Sequence, residues 1–65
     1  MNRPRLLNID EAAELTRKPV ATMRWLRHTG EGPASFKLGR RVVYDEADVI
    51  AWIDRQRADQ GRAAG

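Results

Sequence analysis

The sequence predicts a small α+β domain of three helices and a two-stranded β-hairpin. Three observations predict it. Apolar residues recur at helical spacing in three stretches, around Ala12, Met23 and Val49. Between the second and third, β-branched and aromatic residues flank the pair Gly39-Arg40, the signature of a hairpin. Finally, only Thr16-Arg17-Lys18 separates the first two helical stretches, which makes that connection a tight turn.

With 65 residues the chain forms one domain, and a domain of this size buries only about 60% of its unfolded surface. It has no cysteine and one histidine, so neither disulfides nor a thiolate or histidine metal site is expected to support it. No apolar run approaches the roughly 20 residues of a membrane span, and no signal-peptide core is recognisable. The expectation is a cytoplasmic protein without cofactor, metal or membrane contact.

In chain order, residues 1–5 lack periodicity and are expected to fray. Arg3 and Arg5 can reach a phosphate or simply be solvated. Leu6-Leu7 can add a strand residue or pack beneath the first helix. Asn8 opens that helix, and Glu11 completes a capping box. Ile9, Ala12 and Leu15, with Ala13 beside them, form its expected inward stripe. Asp10, Glu11 and Glu14 are explained by capping and solvation, not by acid–base chemistry. Pro19 suits the first turn of the second helix, and Gly30 stops it.

Glu31-Gly32-Pro33-Ala34 is a loop. The hairpin follows, with Phe36 and Leu38 on one face and Lys37 on the other, while Val42 and Tyr44 share a face of the return strand. An isolated hairpin is barely stable, so its apolar face is expected on the helices and its tip projects Arg40 and Arg41. Asp45 caps the last helix, in which Val49, Trp52 and Ile53 close the core. Ile50 lies off that stripe, either against the hairpin or exposed to a partner. The helix is expected to end near Arg57 or Asp59. The domain thus spans residues 6–58, with flexible ends at 1–5 and 59–65.

Charge is unevenly distributed. Residues 1–16 carry a net −1, residues 17–44 carry +6, and residues 45–65 carry −2, for a total of +3. The middle segment is the footprint of a polyanion-binding surface. Its second helix turns Met23 and Leu26 inward. Ala21, Arg24, Trp25 and His28 point outward, with Thr22 and Arg27 on the flanks. A short, basic, aromatic helix suits a DNA major groove, and a basic hairpin beside a helix-turn-helix is a wing. The α+β class is therefore narrowed to a winged helix-turn-helix.

The blocks Ala12-Ala13-Glu14-Leu15, Ala21-Thr22-Met23-Arg24-Trp25, Gly32-Pro33-Ala34-Ser35-Phe36-Lys37-Leu38-Gly39-Arg40-Arg41-Val42-Val43-Tyr44 and Ala47-Asp48-Val49-Ile50-Ala51-Trp52-Ile53 resemble the excisionase or AlpA-like branch of the MerR-type winged-helix domains. The resemblance implies that the second helix enters the major groove and the wing follows the backbone. It also implies a phage or mobile-element excisionase, which binds and bends attachment-site DNA and steers an integrase, or else a small transcription regulator. Two positions depart from the pattern. Val20 and Ala21 stand where relatives often carry polar residues or arginine, and Ile50 stands where a charge is common. The long dimerisation helix and effector domain of full MerR regulators are not recognisable, so no small-molecule effector is expected.

The expected division of labour gives base contacts to Arg24, Trp25 and His28, with Ala21 permitting close approach. Thr22, Arg27 and Lys18, and from the wing Lys37, Arg40 and Arg41, hold phosphates. One small domain covers few base pairs, so self-association on adjacent sites is expected beside the integrase partner, in a bacterial host cell. An enzyme finds no support among the residues. A protein-interaction module docking through Trp25 and Ile50 is the alternative from another class.

Overall fold

A computed structural model of the chain describes residues 5–64, with backbone only for 61–64. Its elements are β1 (Leu6–Leu7), α1 (Ile9–Thr16), α2 (Val20–Thr29), β2 (Phe36–Leu38), β3 (Arg41–Asp45) and α3 (Glu46–Ala64). The expected N-terminal residues 1–4 lie outside the described part.

Helix α1 starts as its sequence dictates. The Asn8 side chain accepts the Glu11 amide at 2.8 Å, and the Glu11 carboxylate accepts the Asn8 amide at 2.9 Å. Two orphan donors of the first turn are thereby satisfied. The helix buries Ala12 and Ala13, which let α2 approach closely. Thr16 donates to the Ala12 carbonyl at 2.8 Å and reaches the Met23 sulfur at 3.4 Å, tying the end of α1 to the middle of α2.

The inward stripe of α1 differs from the expected one by one residue. Leu15 is exposed, while Thr16 is half-buried. Ile9, Ala12, Ala13 and Thr16 fall at i, i+3, i+4 and i+7, and Leu15 lies beyond the edge of that stripe.

The turn between α1 and α2 is made without glycine. Arg17 adopts φ 60°, ψ 37°, in the left-handed region. Its amide donates to the Glu14 carbonyl at 3.1 Å, and the Lys18 amide donates to Ala13 at 2.9 Å. These two bonds form a Schellman closure. Pro19 takes the N-cap position of α2, one residue before the helix begins. The end of α2 repeats the closure with Gly30, and the Glu31 amide donates to Leu26 at 3.0 Å. Gly32 then crosses so close to α2 that a β-carbon there would lie 2.8 Å from the Leu26 β-carbon.

The expected hairpin forms, and β1 adds a third strand to give the antiparallel order β1-β3-β2. Leu6-Leu7 adds to the sheet, and Leu7, paired with Tyr44, packs beneath α1. Gly39 opens the two-residue turn at φ 68°, while Arg40 keeps a negative φ. This is the II′ pattern that matches strand twist.

The hairpin's faces correct an expectation. Leu38 pairs with Arg41 and Phe36 with Val43, so Phe36 and Leu38 lie on the face opposite Val42 and Tyr44. The core takes the Tyr44 face. Phe36 and Leu38 are therefore exposed instead of resting on the helices.

The core joins Leu7, Ala12, Ala13, Met23, Tyr44 and Val49, with Ile9, Val20, Leu26, Val42 and Ile53 packed against it. Trp52 is buried as expected, and its indole donates to the Glu31 carbonyl at 3.0 Å, pinning the loop after α2 to α3. Asp45 accepts the Ala47 amide at 3.0 Å at the start of α3. Ile50 is exposed, not tucked against the hairpin.

Arg5, expected to fray, closes onto the fold. Its carbonyl accepts the Glu46 amide at 2.8 Å, and its guanidinium lies 3.2 Å from Glu11 and 3.6 Å from Glu46. The end of α3 also differs, because helical backbone continues to Ala64, past Arg57 and Asp59. No proline interrupts this stretch, and arginine, glutamine and alanine sustain a helix well enough to carry the roughly 1 kcal/mol cost of Gly61.

Candidate nucleic-acid interface

Helix α2 is the element around which the candidate site is built. Met23 is buried, and Val20 and Leu26 pack against the core, which fixes the rotation of the helix about its axis. The opposite face then carries Ala21, Arg24, Trp25 and His28 at i, i+3, i+4 and i+7, all exposed. Trp25 is 62% exposed, an unusual cost for so large an apolar side chain. Its ring stands 6.0 Å from that of His28, tilted by 35°. Two aromatic rings and a guanidinium therefore project side by side from a single face.

Arg27 is exposed and Thr22 half-buried, flanking that face as expected. Arg27 also lies near the sheet. Burial pushes the Tyr44 hydroxyl above its ordinary pKa of 10.0, and the Arg27 charge pulls the other way. The Tyr44 hydroxyl has no hydrogen-bond partner among the described residues.

Lys18, Lys37, Arg40 and Arg41 are exposed. Lys18 sits in the turn that leads into α2, directly before Pro19. The wing residues diverge. Lys37 is on the face shared with Val42 and Tyr44, the helix side of the sheet, whereas Arg41 is on the open side and Arg40 at the tip. Lys37 and Arg41, both expected to act from the wing, therefore lie on opposite sides of it.

Among the described residues, the ion pairs are those of Arg5 with Glu11 and Glu46. None of Lys18, Arg24, Arg27, Lys37, Arg40 and Arg41 is neutralised by a carboxylate within that part of the chain. Unpaired exposed cations keep their full attraction for an anion. Arg17 shares a depression with Glu11, Glu14 and Glu46, and so sits in acidic company. Of the depression's carboxylates, Glu11 holds the cap and Arg5 and Glu46 holds Arg5, and no group of three metal-ligating side chains occurs among the described residues. No helix among them is long and apolar enough to cross a membrane.

A tight helix-turn-helix with a basic outer face, followed by a wing, defines a small DNA-binding domain of the winged-helix class. Comparison with known families agrees with this geometry. The model of the helix-turn-helix domain family, of the AlpA and excisionase type, matches residues 6–57, and the chain belongs to that family. It is a DNA-binding helix-turn-helix protein, in a family whose members are typically not enzymes. No curated protein and no solved structure matched the chain.

Proposed function

We propose that the protein is an excisionase-type recombination directionality factor. It binds repeated sites beside an attachment site, bends the DNA there, and directs a partner integrase towards excision. The observation that carries its DNA binding is the outer face of α2, where Arg24, Trp25 and His28 project together and no carboxylate among the described residues pairs with the arginine. A face built for water would not hold an exposed tryptophan between an arginine and a histidine.

In this reading Arg24 gives two hydrogen bonds to a guanine edge. Trp25 packs on sugars or a thymine methyl, and His28 donates to a base or phosphate. Ala21 lets the helix sit deep in the groove. Thr22, Lys18 and Arg27 fix the register through phosphates, with Lys37, Arg40 and Arg41 doing so from the wing. The domain is too small for genome-scale selectivity alone, so several copies bind adjacent sites cooperatively.

A gel shift on DNA flanking an integrase gene tests the proposal. A ladder of cooperative, salt-sensitive complexes on the attachment region, together with stimulated excision when the integrase is added, is expected. A single complex at a promoter and none at the attachment region would make the protein a small transcription regulator instead.

A further inference from the structure

The sheet has a second face, and it is left open. Antiparallel pairing places directly opposed residues on one side of a sheet. Leu7 with Tyr44 and Lys37 with Val42 occupy the helix side. Leu6 with Asp45, Phe36 with Val43, and Leu38 with Arg41 occupy the other side. Leu6, Phe36 and Leu38 remain 45%, 46% and 56% exposed, and Val43 only half-buried. Four apolar side chains thus run diagonally across one face of a domain with little apolar area to spare. This surface belongs neither to the core nor to the outer face of α2.

Its charges say what covers it. Along β3 the open face reads Arg41, Val43, Asp45, so residues of opposite charge stand two positions to either side of an apolar centre. The Asp45 carboxylate caps α3 through Oδ1, and Oδ2 is the oxygen left to meet a partner. Arg41 has no carboxylate partner among the described residues. Consider a second copy laid face to face on the first. A two-fold axis running along β3 would set Arg41 over Arg41, which repels. A two-fold axis running across the strands, through Val43 and Phe36, reverses the strand direction. It stacks Val43 on Val43 and Phe36 on Phe36, and sets each Arg41 over the other copy's Asp45. Such a contact is isologous, with the same patch on both subunits satisfying itself. The roughly 30° misalignment usual between packed sheets still leaves long arginine side chains within reach.

We infer that the open face of the sheet, centred on Val43 and Phe36, is the contact of a two-fold dimer of this chain. The inference stands without the DNA reading, although it supplies a surface for the self-association which that reading needs. With strands of two, three and five residues, the two faces together bury less than the roughly 1,200 Å² total of a stable interface, so the dimer is weak and forms at high concentration. Two copies held on one duplex gain effective concentration and associate far more readily.

The test is run on the full chain without DNA, because Arg41 serves both surfaces. In sedimentation equilibrium the wild-type mass is expected to rise from 7.4 kDa towards twice that value as concentration increases. Phe36→Asp should weaken association at least tenfold while leaving the helical circular dichroism unchanged. Arg41→Glu should weaken it too, since it then faces Asp45. The absence of native cysteine permits a check that needs no disruptive change. Phe36→Cys is expected to give a covalent dimer with a short bismaleimide, and Ala51→Cys, on the exposed side of α3, is not. A wild type that stays monomeric into the millimolar range would overturn the inference. So would association indifferent to Phe36→Asp, or equal cross-linking at both cysteines.

Discussion

Arg24 and Tyr44 show how one side chain's surroundings determine what its removal does. Arg24 stands exposed on α2 and pairs with no carboxylate among the described residues, so its loss should cost the fold little and DNA binding much. Arg24→Ala is expected to weaken binding to a preferred site by about 1–3 kcal/mol, and to random duplex far less. Competition between the two duplexes measures this, and equal losses would remove Arg24 from base reading. Tyr44 is the opposite case. Its ring is buried and its hydroxyl unpaired among the described residues. An unpaired buried hydroxyl costs about 1–3 kcal/mol, so Tyr44→Phe should leave stability unchanged or higher. The raised pKa has its own consequence. The folded state holds the phenol proton more tightly than the unfolded chain, so this stabilisation is complete below pH 10 and is lost as pH rises through the folded value. Chemical denaturation above pH 10 should therefore destabilise the wild type more steeply than Tyr44→Phe.

At the scale of elements, the legible ones carried their own local chemistry. The capping box at Asn8 and Glu11, the Gly30 stop and the Met23–Leu26 stripe each specify structure within one turn. The turn after α1 was legible only as a position, because its left-handed residue is Arg17, and no side-chain rule marks an arginine for that conformation. Arg17→Gly should relieve the strain and raise thermal stability by up to about 1 kcal/mol, partly offset by the freer unfolded chain. If unfolding shows a loss instead, Arg17 makes contacts that outweigh its backbone cost. The sheet faces were misread for a different reason. A two-residue turn at Gly39-Arg40 already pairs Leu38 with Arg41, and this parity sends Phe36 away from Tyr44. Apolar character suggested that Phe36 and Leu38 belonged to the core. Pairing parity, also present in the sequence, says otherwise. The continuation of α3 to Ala64 was hidden because polar, alanine-rich sequence reads as coil until its helix propensity is summed.

At the scale of the whole molecule, the fold divides its surface by charge. Acidic residues and Arg5 gather where α1 meets the start of α3, while unpaired cations occupy the exposed face of α2, the turn before it and the wing. The segment charges were legible in the sequence. That the cations go unneutralised within the described part, and that Lys37 and Arg41 leave the sheet on opposite sides, took the structure to see. We propose that these cations bind DNA through its phosphates, and the salt dependence of binding to a duplex tests this. Contact with about six phosphates predicts a log–log slope near −5, reduced by about one unit for each of Lys18, Arg27 and Lys37 replaced by alanine. A slope near zero, or one that none of these substitutions changes, would contradict the account and favour a partner protein docking on Trp25.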